Sequence, residues 1–390
     1  MKPSLLDRSF YAGDPFPAFA LQRAEAPVYR DPDTGIWALL LHEDVVWAER
    51  HTELLSSADG SRPRSFPQPS MIDSDDPLHK RRRGIVDRGF HPRPIAEVEE
   101  GIRAITTELI DAVVANGECD VVRDLAAPLP MIVIGDMLGT PSEKRDHLQQ
   151  WSDVTLSGAD GPGNATPAVL QAYADFCAAT DEIIEDRKKN PTGDLISKLV
   201  HAEPGGEALS RDEIIGESLL LLIGGNETTR NVISGGIEAL LRYPGEKEKL
   251  IADPSKITNA VEECLRWVTP VINMARTATT DVAIKDQTIP EGDQVLLMYA
   301  SANRDERVFQ EPEIFDVERN PNPHLAFGHS AHFCLGASLA RLEIRVMLEE
   351  VLRRLPDIAL ADPDAPIERT HSSFIRGITR LPVIVEGERL

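Results

Sequence analysis

Apolar residues recur at intervals of three and four along five segments of the chain, which is the pattern of amphipathic helices. These segments span residues 95–114, 167–188, 211–242, 257–268 and 337–355. The third segment covers about 32 residues and would be roughly 48 Å long as a helix. A helix of that length must cross the whole molecule.

Strand-like patterns are fewer and shorter. Runs rich in valine, isoleucine and leucine predict strands at residues 37–41, 281–289, 294–298 and 381–386. Prolines concentrate in two connecting stretches, 63–69 and 312–323, and no internal repeat or Ser/Gly-rich linker divides the sequence. We therefore predict a mainly α-helical fold with small β-sheets, in one large domain spanning residues 1–390.

Acidic residues outnumber basic ones, with 64 Asp and Glu against 41 Lys and Arg and a net charge of −23. A protein that binds nucleic acid or anionic membrane needs a basic face, so neither partner is expected. The longest apolar runs, such as Leu219–Ile223, are far shorter than the ~20 residues that span a bilayer. The four cysteines are scattered without a CxxC pair. We expect a reduced, cytoplasmic protein without a membrane anchor.

The most informative stretch is Phe327–Gly336, with the sequence FGHSAHFCLG. Cys334 directly precedes a predicted helix, where backbone N–H groups and the helix dipole favour a thiolate. Gly328 and Gly336 flank it, and glycine lets a chain approach a flat ligand closely. A lone thiolate in this setting suits axial ligation of haem iron.

Three other interpretations of this stretch stay open on the residues alone. His324, His329, His332 and Cys334 lie close in sequence and could be zinc ligands. The segment around Ser330 nearly matches the nucleophile elbow G-x-S-x-G of serine hydrolases, without its last glycine. A buried cysteine beside a helix start is the third interpretation.

The stretch resembles the haem-binding loop of the cytochrome P-450 family, F-G-x-G-x-H-x-C-x-G. It differs at Ser330, where the family usually has glycine. The resemblance implies the P-450 fold, with heme b as cofactor and Cys334 as the ligand of its iron. It assigns haem contacts to the matching positions Phe327, Gly328, His332, Cys334 and Gly336.

The long predicted helix contains Gly224-Gly225-Asn-Glu227-Thr228. Each glycine costs a helix ~1 kcal/mol relative to alanine, so either close helix packing or a ligand pressed against the helix must account for the pair. The segment is similar to the family's oxygen-activation motif, [AG]-G-x-[DE]-T. By this resemblance Gly225 would contact the cofactor, and Thr228 and Glu227 would act in oxygen activation and proton delivery.

Glu263 and Arg266 are three residues apart on one predicted helix, the spacing of an ion pair. Such pairs are usually solvated. In the family, however, E-x-x-R and a later arginine, here Arg319, form a buried network, which implies a structural role for all three residues.

His79 and Arg83 fit the family's H-x-x-x-R motif, whose side chains pair with the haem propionates. Arg276 and His332 stand where two further propionate partners are expected. Alone, each of these residues would be interpreted as a surface charge. The resemblance instead assigns all four to cofactor binding, a task for which arginine suits carboxylates well.

The resemblance covers nearly the whole chain and implies a bacterial haem-thiolate monooxygenase that uses O₂ to hydroxylate a C–H bond of an apolar small molecule. Its electrons would come from a separate ferredoxin or flavodoxin with an NAD(P)H-dependent reductase. Residues 79–94 carry six basic side chains and one acidic one, which would attract an acidic donor. The expected substrate pocket, whose apolar members could equally be ordinary core, comprises Met71, Ile72, Ile223, Val271, Ile272 and Met274.

Three stretches, 122–139, 223–231 and 320–328, look like those of the actinobacterial oxidases that hydroxylate the terminal methyl of steroid side chains. The sequence therefore favours a steroid substrate. Tailoring of a natural product, such as an antibiotic or a carrier-bound intermediate, is the alternative within the family. Outside the family, a zinc hydrolase and a non-catalytic haem sensor remain as hypotheses.

Overall fold

The computed structural model describes residues 4–158, 164–203 and 208–385. Its α-helices are α1 (Arg8–Ala12), α2 (Phe16–Glu25), α3 (His42–Arg50), α4 (Leu78–Val86), α5 (Pro92–Glu97), α6 (Glu99–Val114), α7 (Pro128–Leu138), α8 (Arg145–Ser157), α9 (Pro167–Lys189), α10 (Leu195–Val200), α11 (Arg211–Arg242), α12 (Pro244–Ala252), α13 (Ile257–Val268), α14 (Tyr299–Ala302) and α15 (Ala337–Arg354). Its strands are β1 (Val28–Arg30), β2 (Trp37–Leu39), β3 (Leu55–Ser56), β4 (Glu118–Asp120), β5 (Met274–Ala278), β6 (Val282–Ile284), β7 (Gln287–Ile289), β8 (Gln294–Leu297), β9 (Ala359–Leu360) and β10 (Pro382–Ile384).

Helix α11 is the central element. It begins at a capping box in which the Ser210 hydroxyl accepts from the Glu213 N–H and the Glu213 carboxylate accepts from the Ser210 N–H. It packs against α7, α13 and α15. A Cβ at Gly236 would lie 2.9 Å from Cys264 Sγ, so glycine is what allows α11 and α13 to approach this closely.

The strands form three small sheets around this helical body. The five-stranded sheet has the order β1-β2-β8-β5-β3, with β2 and β8 parallel and the other pairs antiparallel. Strands β4, β10 and β9 form a second sheet, and β6 and β7 form a hairpin. The largest hydrophobic cluster draws residues from Met71 to Val385. The mainly α-helical fold with small sheets agrees with the prediction.

The predicted segments 211–242 and 257–268 coincide with α11 and α13, and 167–188 and 337–355 match α9 and α15 within a residue. Segment 95–114 is divided at Val98, whose ψ of 0° interrupts the helix. The periodicity missed this break because Ile95 and Ile102, on either side of it, both face the core.

The strand predicted at 281–289 is a hairpin that turns at Lys285, which has a φ of +54°. Strand β10 is shorter than the predicted 381–386, and residue 386 lies outside the described residues. No helix among the described residues has both the length and the apolar character needed to cross a membrane.

Candidate active site

Cys334 lies in the loop that leads into α15 and lines an internal cavity of about 230 Å³. Its N–H donates to the Phe327 carbonyl over 2.8 Å, which closes the loop. Burial raises the pKa of the Cys334 thiol, while the Gly336 N–H and the charges of Arg83 and Arg341 act in the opposite direction. The loop therefore presents a sulfur to the cavity beside the positive charges of Arg83 and Arg341, which oppose the effect of burial on its pKa.

The aromatic ring of Phe327 anchors this loop to the helices behind it. The Arg341 guanidinium lies over the ring at 4.6 Å and is bonded to Glu262 on α13 over 2.7 and 2.8 Å. Gly336, the residue before α15, faces open space where a Cβ would stand. The loop is thus held from outside and leaves room on the cavity side.

Two residues of the loop have left-handed backbones, Gly328 with a φ of +67° and Ser330 with a φ of +57°. Glycine adopts this conformation without strain, whereas a residue with a Cβ pays roughly 1–2 kcal/mol. The departure from the family's glycine at Ser330 is therefore a strained position in an otherwise matching loop.

We expect Ser330→Gly to raise the free energy of unfolding by about 0.5–1 kcal/mol. The free energy gained by relieving the backbone strain should exceed the stability lost because glycine gives the unfolded chain more conformational entropy. Urea unfolding of the haem-loaded protein measures the change. Ser330→Ala is the control, since it keeps the Cβ and should gain nothing. A glycine variant that unfolds more easily than the parent would contradict the strain.

The cavity lies between this loop and the middle of α11. Among the residues of α11 that line it are Gly224, Gly225, Thr228 and Thr229. A Cβ at Gly225 would lie 2.9 Å from the Ile134 side chain of α7, whereas one at Gly224 would meet open space. Each of the two interpretations of the glycine pair therefore applies to one glycine. Gly225 allows close helix packing, and Gly224 leaves room at the cavity.

The two residues predicted to handle protons face different ways. The Thr228 hydroxyl donates to the Gly224 carbonyl over 2.9 Å at the cavity wall. Glu227 is 1% exposed and does not line the cavity; its carboxylate bonds Arg230 and Asn231. Burial raises the pKa of Glu227, and the Arg230 charge opposes that rise.

Glu343 of α15 also lines the cavity, and sequence reasoning missed it. It is 1% exposed, and burial raises the pKa of its carboxyl well above the usual range despite a hydrogen bond with Thr229. It forms no ion pair within the described part of the chain. The available signal was an acid at a core-facing position of the predicted helix 337–355, between Leu339 and Met347.

The four predicted basic residues converge on the wall beside Cys334. The rings of His79 and His332 lie 4.2 Å apart, and burial lowers the pKa of both, that of His332 to about 2. Arg276 is 2% exposed; its Nη2 lies 3.2 Å from Glu49, and its Nε has no partner. Arg83 is 3.8 Å from Asp87.

This donor set fits haem b. Two guanidinium groups and two imidazoles on one wall suit a ligand that carries carboxylates, and the unpartnered Arg276 Nε is a buried donor that such a carboxylate would satisfy. The single cysteine on the same cavity suits the iron of that ligand. The residues present therefore match the cofactor that the motif implies.

Glu263, Arg266 and Arg319 meet in the core, away from this cavity. Arg266 grips the Glu263 carboxylate over 2.7 and 2.8 Å, and the Arg319 Nε lies 3.1 Å from the same group. Glu263 and Arg266 are fully buried and Arg319 is 8% exposed, so this ion pair is not solvated, unlike most pairs at this spacing. Both arginines also donate to carbonyls between residues 303 and 314, which ties that segment to α13.

The histidines considered for zinc have separate partners. His324 bonds Glu262 over 3.1 Å, and His329 accepts from the Arg50 Nε over 3.1 Å. Within the three described ranges, no group of His, Cys, Asp and Glu residues is arranged to hold a metal ion. Ser330 starts a 3₁₀ turn, not the strand-turn-helix of a nucleophile elbow.

Of the predicted pocket residues, Met71, Ile72, Val271 and Met274 line the cavity. Ile223 and Ile272 do not, which corrects the prediction. Ile223 packs in the main hydrophobic cluster on another face of α11. Ile272 is fully buried among the residues behind the five-stranded sheet.

A family model for cytochrome P450 matches residues 162–376. The steroid C26-monooxygenase of Mycobacterium tuberculosis is 46% identical over 97% of this chain and 96% of its own length. The methyl-branched lipid omega-hydroxylase of that organism is 42% identical over 94% of this chain and 90% of its own. The crystal structure of Bacillus megaterium CYP109E1 in complex with testosterone has a TM-score of 0.89 at 32% identity, covering 97% of this chain and 99% of that one. The chain thus belongs to the cytochrome P450 family, whose members bind haem through a cysteine thiolate.

Proposed function

We propose that this cytochrome P450 monooxygenase hydroxylates the side chain of a steroid, with Cys334 as the thiolate ligand of its haem b. The carrying observation is one cavity that joins the Cys334 sulfur, a basic wall and the Thr228 hydroxyl. When bound, the haem supplies the centre at which O₂ is reduced and the C–H bond is oxidised.

The basic wall holds the two carboxylates of the cofactor. Arg83 and Arg276 provide fixed cations, and the neutral imidazoles of His79 and His332 can donate one hydrogen bond each without a second buried charge. Phe327, Gly328 and Gly336 line the same cavity as the sulfur and would contact the face of the haem there.

Protons reach the cavity from the α11 side. Thr228 holds its hydroxyl at the cavity wall, where the oxygen can accept a hydrogen bond from water. Glu227, on the side of α11 away from the cavity, bonds Arg230, and Arg230 pairs with the half-exposed Asp153 over 2.9 Å. These contacts connect Glu227 to the protein surface. Burial raises the pKa of the Glu227 carboxyl, which favours its exchange of protons along this route.

We expect Thr228→Ala to retain haem but to divert reducing equivalents to hydrogen peroxide, because the hydroxyl that orders the proton-donating water is lost. Product formed per NADPH should fall at least about tenfold. NADPH, peroxide and product are measured together. Thr228→Ser keeps the hydroxyl and is the matched control; unchanged coupling in the alanine variant would remove Thr228 from the proton path.

The steroid assignment rests on the 46% identical steroid C26-monooxygenase and on the apolar wall of Met71, Ile72, Val271 and Met274. A sterol panel added to the ferric protein tests it through the low-spin to high-spin change of the haem spectrum. We expect sterols that retain their side chain to produce the spin-state change, and product analysis to place the hydroxyl on the terminal methyl of that side chain. No change with any sterol would overturn the assignment and favour natural-product tailoring.

For the electron donor we propose a ferredoxin or flavodoxin with an NAD(P)H-dependent reductase, and for the location of the reaction we propose the cytoplasm. The surface on which this donor would dock has fewer exposed cations than the six basic side chains of residues 79–94 indicated. Arg82 is buried and bonded to Glu213 over 2.5 Å, so the exposed cations of α4 and its neighbours are Lys80, Arg81, Arg88 and Arg93.

We expect the rate of reduction by an acidic ferredoxin to fall as ionic strength rises from 20 to 300 mM, since salt screens exposed charges beyond about 10 Å. Stopped-flow measurement under CO follows the reduction. Lys80→Gln together with Arg81→Gln should flatten the dependence. A rate that does not respond to salt in the parent protein would contradict this docking surface.

A further inference from the structure

A second cavity, of about 720 Å³, lies apart from the one that contains Cys334. It lies between the segment 12–20, the last turns of α11 and the segment 367–378. We call it the outer cleft.

Arginines dominate the polar lining of the outer cleft. The Arg304 side chain, 3% exposed, pairs with Glu313 over 2.6 Å. Arg369 has Glu238 as its nearest carboxylate at 3.8 Å, and Glu238 is already bonded to Arg242 over 2.5 Å.

Arg376 has no carboxylate within 4 Å anywhere in the described ranges. Its guanidinium donates instead to the carbonyls of Tyr11 and Gly13 over 3.2 and 3.0 Å. A half-buried guanidinium without a countercharge is unfavourable, so an anion bound beside it would stabilise the site.

The titration behaviour of the cluster points the same way. Burial lowers the pKa of Arg376 to about 9, and the charges of Arg369 and Arg304 add to that effect, while Asp14 and Glu238 oppose it. The carboxylates of the cleft therefore leave a positive potential uncompensated.

The remaining wall is aromatic and aliphatic. The Arg304 guanidinium lies over the rings of Phe16 and Trp267 at 4.4 and 3.8 Å, and Arg376 lies 5.4 Å from the Phe16 ring. Ile367 and Ile378 complete this wall. The outer cleft thus combines cations with an apolar surface, which is the pattern of a site for an amphipathic anion.

The outer cleft is separate from the Cys334 cavity. The partition is a pair of backbone segments in which the Arg376 N–H donates to the Pro270 carbonyl over 2.8 Å and the Ile272 N–H donates to the Phe374 carbonyl over 2.9 Å. Val271, which lines the Cys334 cavity, bridges to Ile375 in this pair.

We propose that the outer cleft binds an organic carboxylate, whose charged group is held by Arg369 and Arg376 and whose apolar body packs against Phe16 and Trp267. Arg369 and Arg376 are adjacent enough to oppose each other's charge, and guanidinium groups suit a carboxylate through paired hydrogen bonds.

Isothermal titration of the holoenzyme with cyclohexanecarboxylate tests the proposal, with an azole on the haem iron so that the Cys334 cavity is filled. We expect one binding site, and no binding of the neutral cyclohexanecarboxamide. Arg369→Gln and Arg376→Gln should each weaken binding about tenfold or more, because a charge-assisted hydrogen bond is lost.

Arg211→Gln is the matched control, since this arginine lies at the other end of α11 with 54% of its side chain exposed. Arg376→Gln also removes the bonds to Tyr11 and Gly13, so Arg369→Gln decides the question if the former variant does not fold. Equal affinity for acid and amide, binding that the azole abolishes, or an Arg369→Gln variant with parental affinity would overturn the proposal.

Discussion

We expect replacement of Cys334 with histidine to retain haem but to abolish monooxygenation. The loop keeps its shape because it is closed through the backbone, by the Cys334 N–H and the Phe327 carbonyl, and is anchored by Arg341 over the Phe327 ring. An imidazole can still ligate iron, but it lacks the electron donation of a thiolate that favours O–O cleavage. We expect turnover to fall about a thousandfold or more.

The reduced CO complex provides the direct measurement. The parent should show the red-shifted Soret band of thiolate ligation, and the Cys334→His variant should lose it while the haem content stays close to the parent value. Cys177→Ser, at a half-buried cysteine of α9, is the control and should change neither. A red-shifted band or sustained turnover in the histidine variant would mean that the ligand is assigned to the wrong residue.

The second large effect concerns stability. Glu263→Gln leaves two buried guanidinium groups, Arg266 and Arg319, without the carboxylate they share. Breaking one buried pair in this way typically costs ~3–5 kcal/mol, and here one substitution breaks two. We expect the variant to lose at least that much unfolding free energy in urea, or to accumulate no folded protein.

The neighbouring Glu262→Gln variant is the control for that experiment. Glu262 pairs with Arg341, whose side chain is 38% exposed, so water can replace much of that interaction. A glutamine can still form a hydrogen bond with the other partner, the buried His324. The loss of unfolding free energy in this variant should be about 1 kcal/mol. A Glu263→Gln variant as stable as this control would show that the buried network contributes little.

The elements that could be located from the sequence are those whose ends are marked by local residues, such as a capping box or a proline. Helix α11 begins at the Ser210 capping box and ends before Pro244, and the prediction matched both ends. The break at Val98 carries no such signal, because Ile95 and Ile102 on either side of it are both buried. At Lys285 the alternation of buried positions shifts, from Val282 and Ile284 to Ile289, and the prediction of a single strand missed that shift. Their locations depend on tertiary packing.

The same limit applies to the site. The motifs correctly indicated that Cys334 and the four basic residues lie at one site. They could not indicate the direction in which each side chain of α11 points. That helix is buried on most of its faces, so its hydrophobic pattern has no informative phase. The sequence therefore could not indicate that Glu227 and Ile223 face away from the cavity. Nor could it indicate that Gly224, and not Gly225, has open space beside it.

The beginning and the end of the described chain are joined. Arg8 donates to the His371 carbonyl over 2.8 Å, and Arg376 holds the carbonyls of Tyr11 and Gly13. Between these contacts lie Phe374 and Ile375, which pack on Val271 and Met274 of the Cys334 cavity. Trimming the first dozen residues would remove the contacts of Arg8 and Tyr11 and leave this wall held by its backbone bonds to residues 270–272. We expect selectivity between substrates to change as a result, although no residue of the cavity has been altered.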